Sequence, residues 1–277
     1  MVVFFALVMA LGWFIGVYLG YGYGIFLFAV LYSMISSVVS YFGGAKVALM
    51  STGAREIQKE DNPYLYRMVE NLCISQGMPM PKVHIIDSPA LNAFATGRNP
   101  EHSHIAVTSG LIAALENEEL EGVLAHELSH IKNYDILVMT VAVVLVGTIA
   151  LVADLIGRMF LFGGSNSEDR KIHPALLVIG LLAIIISPLV AEMMKLAISR
   201  RREYLADASA ALMTRYPEGL ARALEKISNS HTPLEHASAA TSHLFISNPF
   251  NGKMLAGLFS THPPAEERIK RLREIHV

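Results

Sequence analysis

Two histidines and a glutamate near the middle of the chain have the spacing of a metal-dependent hydrolase. His126 and His130 are four residues apart, and Glu127 follows the first of them, in the sequence HELSH. If this stretch is helical, both imidazoles lie on one face, one turn apart, where they can bind a single Zn²⁺. Glu127 is then placed to act as a general base toward a water that the metal activates. The pattern predicts zinc-dependent hydrolysis.

The flanking sequence favours a helix over this motif. Asn117 is a suitable N-cap, and Glu118 and Glu119 place negative charge in the first turn. Apolar residues recur at helical spacing along one face, namely Leu120, Val123, Leu124, Leu128 and Ile131. The two histidines therefore share another face. A buried histidine without a metal is the alternative for either residue alone, and the glutamate between them argues against it for the pair.

A catalytic zinc site usually has a third protein ligand, and Glu203 is the best candidate. It stands in the sequence RREYLAD, directly after a long apolar stretch. If the chain between the two motifs folds as an antiparallel hairpin, its ends meet and Glu203 becomes a neighbour of His130. Asp207, one turn after Glu203, is placed to accept a hydrogen bond from a ligand imidazole. An exposed acidic pair that balances the preceding three arginines is the alternative.

Composition points to a membrane protein. Of the 277 residues, 53% are hydrophobic and 17% are charged, and the mean hydropathy is +0.43. These values lie outside the usual range of soluble proteins. A net charge of −2 gives no electrostatic case for binding nucleic acid. Cys73 is the single cysteine, which excludes an intramolecular disulfide and a cysteine-rich zinc site.

Four apolar runs are long enough to cross a bilayer core of ~30 Å, which takes about 20 residues. They cover residues 2–20, 23–42, 136–157 and 174–194. The sequence thus predicts one transmembrane hairpin within 1–43, a second within 136–199, and a catalytic domain in two parts, 44–135 and 200–277. A secretory signal is the alternative for the first run, and a buried hairpin of a soluble core for the last two.

The part before HELSH reads as a soluble α+β unit. A helix is predicted from Glu60 to Gln76, and another around Leu111. Three short β-like runs lie between them, at Lys82–Asp87, Asn92–Thr96 and His104–Thr108. Basic residues are more frequent beside the catalytic parts than in the loop of the second hairpin, which predicts a cytoplasmic active site.

Four stretches together resemble the HtpX-type membrane zinc endopeptidases, which are relatives of the CAAX prenyl-protein endopeptidase. They are HELSHIKNYD, RREYLADASA, NAFATGRNPEH and FSTHPPAEERI. The resemblance implies a mainly α, α+β gluzincin-like protease domain joined to a four-span membrane α-helical part. It implies one Zn²⁺ held by His126, His130 and Glu203, with Glu127 as the catalytic base. It also implies a multi-pass protein of the cell (inner) membrane with a role in quality control and stress response.

Two further assignments draw on this resemblance, the first together with a short β-like run between turn signals and the second mainly on the resemblance itself. An edge strand would bind an extended substrate through its main chain, at Asn92, Ala93, Phe94, Ala95 and Thr96. An ordinary loop with a capping asparagine is the alternative for this stretch. His262 would stabilise the oxyanion of the tetrahedral intermediate, with Arg268 orienting nearby acidic groups. A role at the helix entry before Pro263 is the alternative for His262.

The expected partners are the lipid bilayer and protein substrates, namely misfolded or damaged membrane and membrane-proximal proteins. A processing protease for one defined substrate, such as a lipidated terminus, is an alternative within enzymes. A zinc-binding transporter or an inactive scaffold is the alternative outside enzymes. Glu127 argues against that class, because binding alone needs the ligands but not a base. Cleavage preference and oligomeric state stay open.

Overall fold

The structure is a computed structural model that describes residues 9, 13, 17, 23–144, 200–230, 232–234, 241–247 and 263–276. The chain divides into two compact units, Met1–Gly44 and Ala45–Val277. Within the described residues, one helical segment is long and apolar enough to cross a membrane, Val30–Ser51, with 22 residues and a mean hydropathy of 1.2. The other predicted spans lie wholly or largely outside the described residues.

The described part of the chain is mainly helical and contains one small sheet. The helices are α1 (Tyr23–Ser51), α2 (Pro63–Gln76), α3 (Ser109–Ala114), α4 (Asn117–Lys132), α5 (Asp135–Val144), α6 (Arg200–Thr214), α7 (Pro217–Asn229) and α8 (Ala265–Arg273). The strands are β1 (Arg55–Glu56), β2 (Lys82–Ile86), β3 (Ala93–Gly97) and β4 (Ser103–Thr108). Short 3₁₀ turns lie at Pro100–His102 and Ser242–Leu244. The prediction that the part of the chain before HELSH is an α+β unit is correct.

Local sequence explains most of these boundaries. Helix α2 begins three residues later than predicted, because the Asn62 side chain accepts a hydrogen bond from Leu65 N and Pro63 supplies a first helical residue without a free amide. It ends at Gly77, whose φ of 61° lies in the left-handed region. The three predicted strands are present with ends shifted by one residue, and the two-residue β1 was not predicted.

The four strands form a mixed sheet in the order β1-β2-β4-β3. Strands β2 and β4 are parallel, whereas β1 pairs with β2 and β3 pairs with β4 in antiparallel fashion. Residue Ala93 lies opposite Val107, and Gly97 lies opposite Ser103. Strand β3 is therefore an outer strand of the sheet.

Alternation of side chains gives the sheet two buried faces. One face carries Val83, Ala95 and Ile105, which belong to a core that also contains the buried residues of α2, α4 and α7. The other face carries Phe94 and Ala106, which pack in a second core. Its other members are Ala48, Leu49, Ile86, Ala90, Met139, Val143, Leu234, Leu244 and Phe245. Helix α4, with the HELSH motif, thus lies over the first face.

Candidate metal centre

Helix α4 is enclosed by other parts of the unit Ala45–Val277. Its predicted apolar stripe is fully buried, and so are His126, Glu127 and His130, each exposed by 3% or less. The N-cap is Glu116 rather than the predicted Asn117, because the Glu116 amide donates to the Glu119 carboxylate (2.8 Å). The same carboxylate accepts from Lys226 of α7 at 2.7 Å. Helix α4 is therefore fixed at its first turn by a buried acid.

A tight turn after α4 brings an additional carboxylate to the motif. Tyr134 has a φ of 61°, a left-handed conformation that is uncommon for a residue other than glycine. The chain turns there, and α5 begins at Asp135, whose Oδ2 lies 3.0 Å from Nδ1 of His130. Asp135 also pairs with Arg202, the residue before Glu203. This pair connects the end of α4 to the start of α6.

Helix α6 packs along α4 and contributes Glu203 and Asp207 from its inner face. Both residues are buried, with Glu203 0% exposed and Asp207 4%. Oδ1 of Asp207 lies 3.0 Å from Nδ1 of His126. Each histidine therefore has a carboxylate at its Nδ1 atom, Asp207 for His126 and Asp135 for His130.

The remaining imidazole nitrogens converge on Glu203. Nε2 of His126 and Nε2 of His130 are 3.2 Å apart, and they lie 3.7 and 3.5 Å from the Glu203 carboxylate oxygens. Four ligands held about 2.0–2.1 Å from one Zn²⁺ in a tetrahedron would be separated by about 3.3 Å. These three residues form a group of metal-binding type whose ligand atoms all lie within 4.8 Å of one another. The structure thus brings together the three predicted ligands.

Hydrogen bonding explains why a cation suits this geometry. A neutral imidazole that donates from Nδ1 to a carboxylate has a lone pair at Nε2. Because both histidines have such a carboxylate partner, two lone pairs point toward each other beside a third acceptor, Glu203. Either a cation or a proton must lie between these lone pairs, because they would otherwise repel each other. Burial would lower the pKa of His130, but the Asp135 hydrogen bond and the neighbouring acidic charges raise it to about 9, so a metal bound there displaces a proton.

Arg268 of α8 holds Asp207 in place. Its Nε and Nη2 atoms donate to the two Asp207 carboxylate oxygens at 2.9 and 2.7 Å, and the residue is 2% exposed. Nη1 lies 3.7 Å from the Glu203 carboxylate. Burial tends to raise the pKa of Asp207, but the Arg268 charge and the His126 hydrogen bond hold that pKa well below its usual range. Asp207 is therefore ionised as it faces His126.

Glu127 differs electrostatically from the other acids of the centre. Burial raises its pKa above the usual range, although the neighbouring His126 and His130 act in the opposite direction. A carboxylate with a raised pKa is a better proton acceptor near neutral pH than an ordinary one. The arrangement can bind a divalent cation next to a group that accepts and returns a proton.

The sequence-based prediction assigned no role to Asp135 or Arg202. Both are present in the motifs HELSHIKNYD and RREYLADASA. In the sequence, Asp135 is marked only by its position just beyond the end of the helix that carries the histidines. A tight turn at that point can bring its carboxylate back against the end of the helix. Without the left-handed Tyr134 the spacing alone does not place it there.

The predicted substrate strand Asn92–Thr96 corresponds closely to β3. Helix α4 packs against this strand, and all five residues of β3 are buried. The Asn92 side chain faces Ser247, with Nδ2 donating to the Ser247 carbonyl at 3.0 Å. His262 lies outside the described residues.

Comparisons with known proteins agree on one family. Residues 59–276 match the description Peptidase family M48. The sequence is 46% identical over 254 residues to a protease HtpX homolog of Tropheryma whipplei, a match that covers 92% of this chain and 87% of that relative. It is 44% identical over 281 residues to a protease HtpX homolog of Caldanaerobacter subterraneus subsp. tengcongensis, covering 100% and 93% of the two chains.

A solved structure has a similar fold. The crystal structure of S. mikatae Ste24p matches 96% of this chain with a TM-score of 0.56 at 20% sequence identity. The chain spans 61% of the length of that protein. At this identity the comparison concerns the fold alone.

Proposed function

The chain belongs to peptidase family M48 and is a metalloprotease, and from this premise we propose that it is a membrane-bound zinc endopeptidase of protein quality control. The predicted resemblance to HtpX-type proteases is confirmed by the relatives. The observation that supports the proposal most is the convergence of both Nε2 atoms and the Glu203 carboxylate at one point. The proposed substrates are misfolded or damaged membrane and membrane-proximal proteins.

We propose that His126, His130 and Glu203 hold the metal and that the metal is Zn²⁺. Two imidazoles and one carboxylate are the donor set of a large group of catalytic zinc sites, and three protein ligands leave one position open. When bound there, Zn²⁺ supplies Lewis-acid chemistry that lowers the pKa of water and polarises a peptide carbonyl. Asp207 and Asp135 accept hydrogen bonds from the Nδ1 atoms, which orients the two imidazoles and directs their Nε2 atoms toward the metal position.

Glu127 is the proposed proton carrier. Its carboxylate accepts a proton from the attacking water and returns it to the nitrogen of the departing amine. The raised pKa of this buried side chain suits both halves of that transfer. His262 is proposed to donate a hydrogen bond to the developing oxyanion. Loss of such a donor lowers turnover by ~10² or more, so a zinc-loaded His262→Ala enzyme with normal turnover would contradict this role.

The proposed membrane arrangement has four spans and a cytoplasmic catalytic domain. The segment Val30–Ser51 is the candidate span among the described residues, and the apolar run that begins at Ile136 continues beyond them. An even number of spans places the chain ends and both catalytic parts on one side, where basic residues are more frequent. A reporter fused after Val277 that is active only outside the cytoplasm would contradict this orientation.

A substrate is proposed to lie against β3 as an extended strand, which would give affinity through main-chain hydrogen bonds and leave side-chain selectivity broad. The strand lies at the edge of the sheet and packs against α4. Proline removes one backbone donor, so Ala93→Pro and Ala95→Pro test the two halves of this edge separately. Normal cleavage by both folded variants would contradict the proposal.

A chelator experiment tests the proposed function. The full-length protein in detergent is incubated with casein as purified, after treatment with a chelator, and after addition of Zn²⁺ to the treated sample. We expect cleavage, loss of cleavage and recovery in that order. Cleavage that persists after the metal has been removed would contradict a zinc mechanism, and zinc binding without cleavage would favour a transporter or scaffold.

A further inference from the structure

Asp135 has two partners, one on each of its carboxylate oxygens. Oδ2 lies 3.0 Å from Nδ1 of His130, and Oδ1 accepts a hydrogen bond from Nη1 of Arg202. The Asp135 side chain is 5% exposed, whereas the Arg202 side chain is 44% exposed. The carboxylate therefore lies between a buried imidazole and a guanidinium that reaches it from the surface.

The same three residue types are arranged in this way on the other side of the candidate metal centre. Oδ1 of Asp207 lies 3.0 Å from Nδ1 of His126, and both Asp207 oxygens accept hydrogen bonds from Arg268. Each histidine is thus backed by an aspartate, and each aspartate by an arginine. The two arginines differ, because Arg268 is buried and binds both oxygens, whereas Arg202 is half exposed and binds one.

The second partner restricts the rotation of the Asp135 carboxylate. The terminal torsion of an aspartate side chain is broad, so a single hydrogen bond leaves the carboxylate plane loosely defined. Arg202 holds one oxygen while the other faces His130. A carboxylate bound to an imidazole N–H sets the orientation of that ring. Arg202 therefore restrains the direction of the His130 Nε2 atom through Asp135.

The Arg202–Asp135 pair also joins two distant parts of the chain. The two residues are 67 positions apart. Between them lies the stretch 136–199, the predicted second transmembrane hairpin. Asp135 directly precedes this stretch, and Arg202 follows it on the first turn of α6. The orientation of a histidine on α4 is thus linked to the start of α6.

Attraction to lipid headgroups is the alternative role for Arg202. It belongs to a run of three exposed arginines, Arg200–Arg202, and basic residues commonly flank membrane spans. Contact with headgroups would not require a guanidinium to point at a buried carboxylate. Arg202 does so, and this contact favours a role at the metal centre.

We propose that Arg202 is a positioning residue of the metal centre, which holds Asp135 against His130 and thereby strengthens zinc binding. The inference rests on the proposed zinc-dependent function. Arg202 acts through Asp135 and needs no contact with the metal or the substrate. Because it follows the predicted hairpin, retention of the metal depends on the contact between the two ends of that stretch.

The zinc affinities of two full-length variants in detergent test this proposal. Arg202→Gln removes the partner of Asp135, and the matched Arg201→Gln removes the same charge from the exposed neighbouring residue. Charge alone predicts slightly tighter binding of Zn²⁺ in both, since each variant loses a cation. We expect Arg202→Gln to bind Zn²⁺ about fivefold or more weakly than Arg201→Gln, in competition with a chromophoric chelator. Equal affinities, or tighter binding by Arg202→Gln, would overturn the proposal.

Two further variants separate positioning from local stabilisation of the fold. Arg202→Lys keeps a cation for Oδ1 of Asp135 and should recover most of the affinity that Arg202→Gln loses. In an Asp135→Asn background, Arg202→Gln should change the affinity by less than about twofold, because the arginine then has no carboxylate to hold. An equal effect of Arg202→Gln in both backgrounds would show that Arg202 does not act through Asp135.

The same measurements test the underlying function separately. If the unaltered protein binds zinc and cleaves casein while Arg202→Gln and Arg201→Gln have equal affinities, only the positioning role is wrong. If the unaltered protein binds no zinc, the proposed function is wrong and the role of Arg202 falls with it.

Discussion

Asp135 Oδ2 lies 3.0 Å from Nδ1 of His130, although the two residues belong to different helices and a left-handed Tyr134 separates them. This contact mirrors the one between Asp207 and His126 on the other side of the centre. Each carboxylate fixes the tautomer and the ring orientation of one histidine. The candidate metal centre therefore depends on α4, α5 and α6 together.

Replacing Asp135 tests this relationship. In Asp135→Asn we expect the affinity for Zn²⁺ to fall about 10–100-fold, because the amide is a weaker acceptor for the imidazole N–H. Competition with a chromophoric chelator measures the affinity. Glu266→Gln, at an exposed position on α8, controls for the loss of one negative charge. Equal affinities of Asp135→Asn and Glu266→Gln would contradict the orienting role.

Arg268→Met should be strongly destabilising. The substitution leaves the Asp207 carboxylate buried without its bidentate partner, and such a loss costs about 3–5 kcal/mol. Arg271→Met is a suitable control, because its ion pair with Glu267 is about half exposed on each side and contributes little. Thermal melting of both variants in detergent gives the comparison. Similar melting temperatures would show that the Arg268 pair is not needed for the fold.

The convergence of His126, His130 and Glu203 could be predicted from sequence because its constraints are local or topological. The spacing of His126 and His130 puts them on one helix face, and the hairpin predicted between the two motifs would return Glu203 to the same place. The structure brings these residues together with Asp207 and Arg268. Such arguments need only helical periodicity and the direction of the chain.

The contacts of β3 could not be predicted in this way. Ile246 meets Ala93, and Thr140 meets Gly97, through single hydrogen bonds between residues far apart in the chain. No periodicity or spacing marks such a contact before the fold is known. The sequence correctly indicated a short strand near Asn92, but it could not show which backbone groups of that strand are already paired.

Glycine at position 122 allows α4 and α7 to approach closely. A Cβ atom there would lie 2.7 Å from Leu220 N and 2.9 Å from Leu220 Cα, both backbone atoms. Gly122→Ala should therefore separate the helices and lower the free energy of unfolding by about 1–3 kcal/mol. The control is Gly43→Ala in α1, where the nearest atom would be 3.9 Å away. Melting curves that show the same small change for both would contradict close packing at Gly122.

The buried side chain of His243 should make the protein sensitive to acid. Burial lowers the pKa of His243 to about 4, even though its hydrogen bond to the Met139 carbonyl opposes that shift. At acidic pH the folded state therefore binds fewer protons than the unfolded state. The contribution of neutral His243 to the free energy of unfolding is fully present above pH 6.5 and is lost as the pH falls toward 4.

Replacing this histidine removes the titrating group. His243→Gln keeps a side-chain donor for the Met139 carbonyl, and its melting temperature should fall less between pH 7 and pH 5 than that of the unaltered protein. The unaltered protein will retain part of its sensitivity in either case, because burial also lowers the pKa of His104 to about 4. Parallel pH dependences of the His243→Gln and unaltered proteins would contradict the assignment.

The most direct test of the account compares zinc content in two purified variants. Glu127 is assigned to proton transfer, whereas Glu203 is assigned to metal binding. We expect Glu127→Gln to retain one zinc per chain and its fold but to lose casein cleavage, because an amide cannot accept the proton. Glu203→Ala should lose zinc together with cleavage. Elemental analysis that finds zinc absent from Glu127→Gln and fully retained in Glu203→Ala would contradict both assignments.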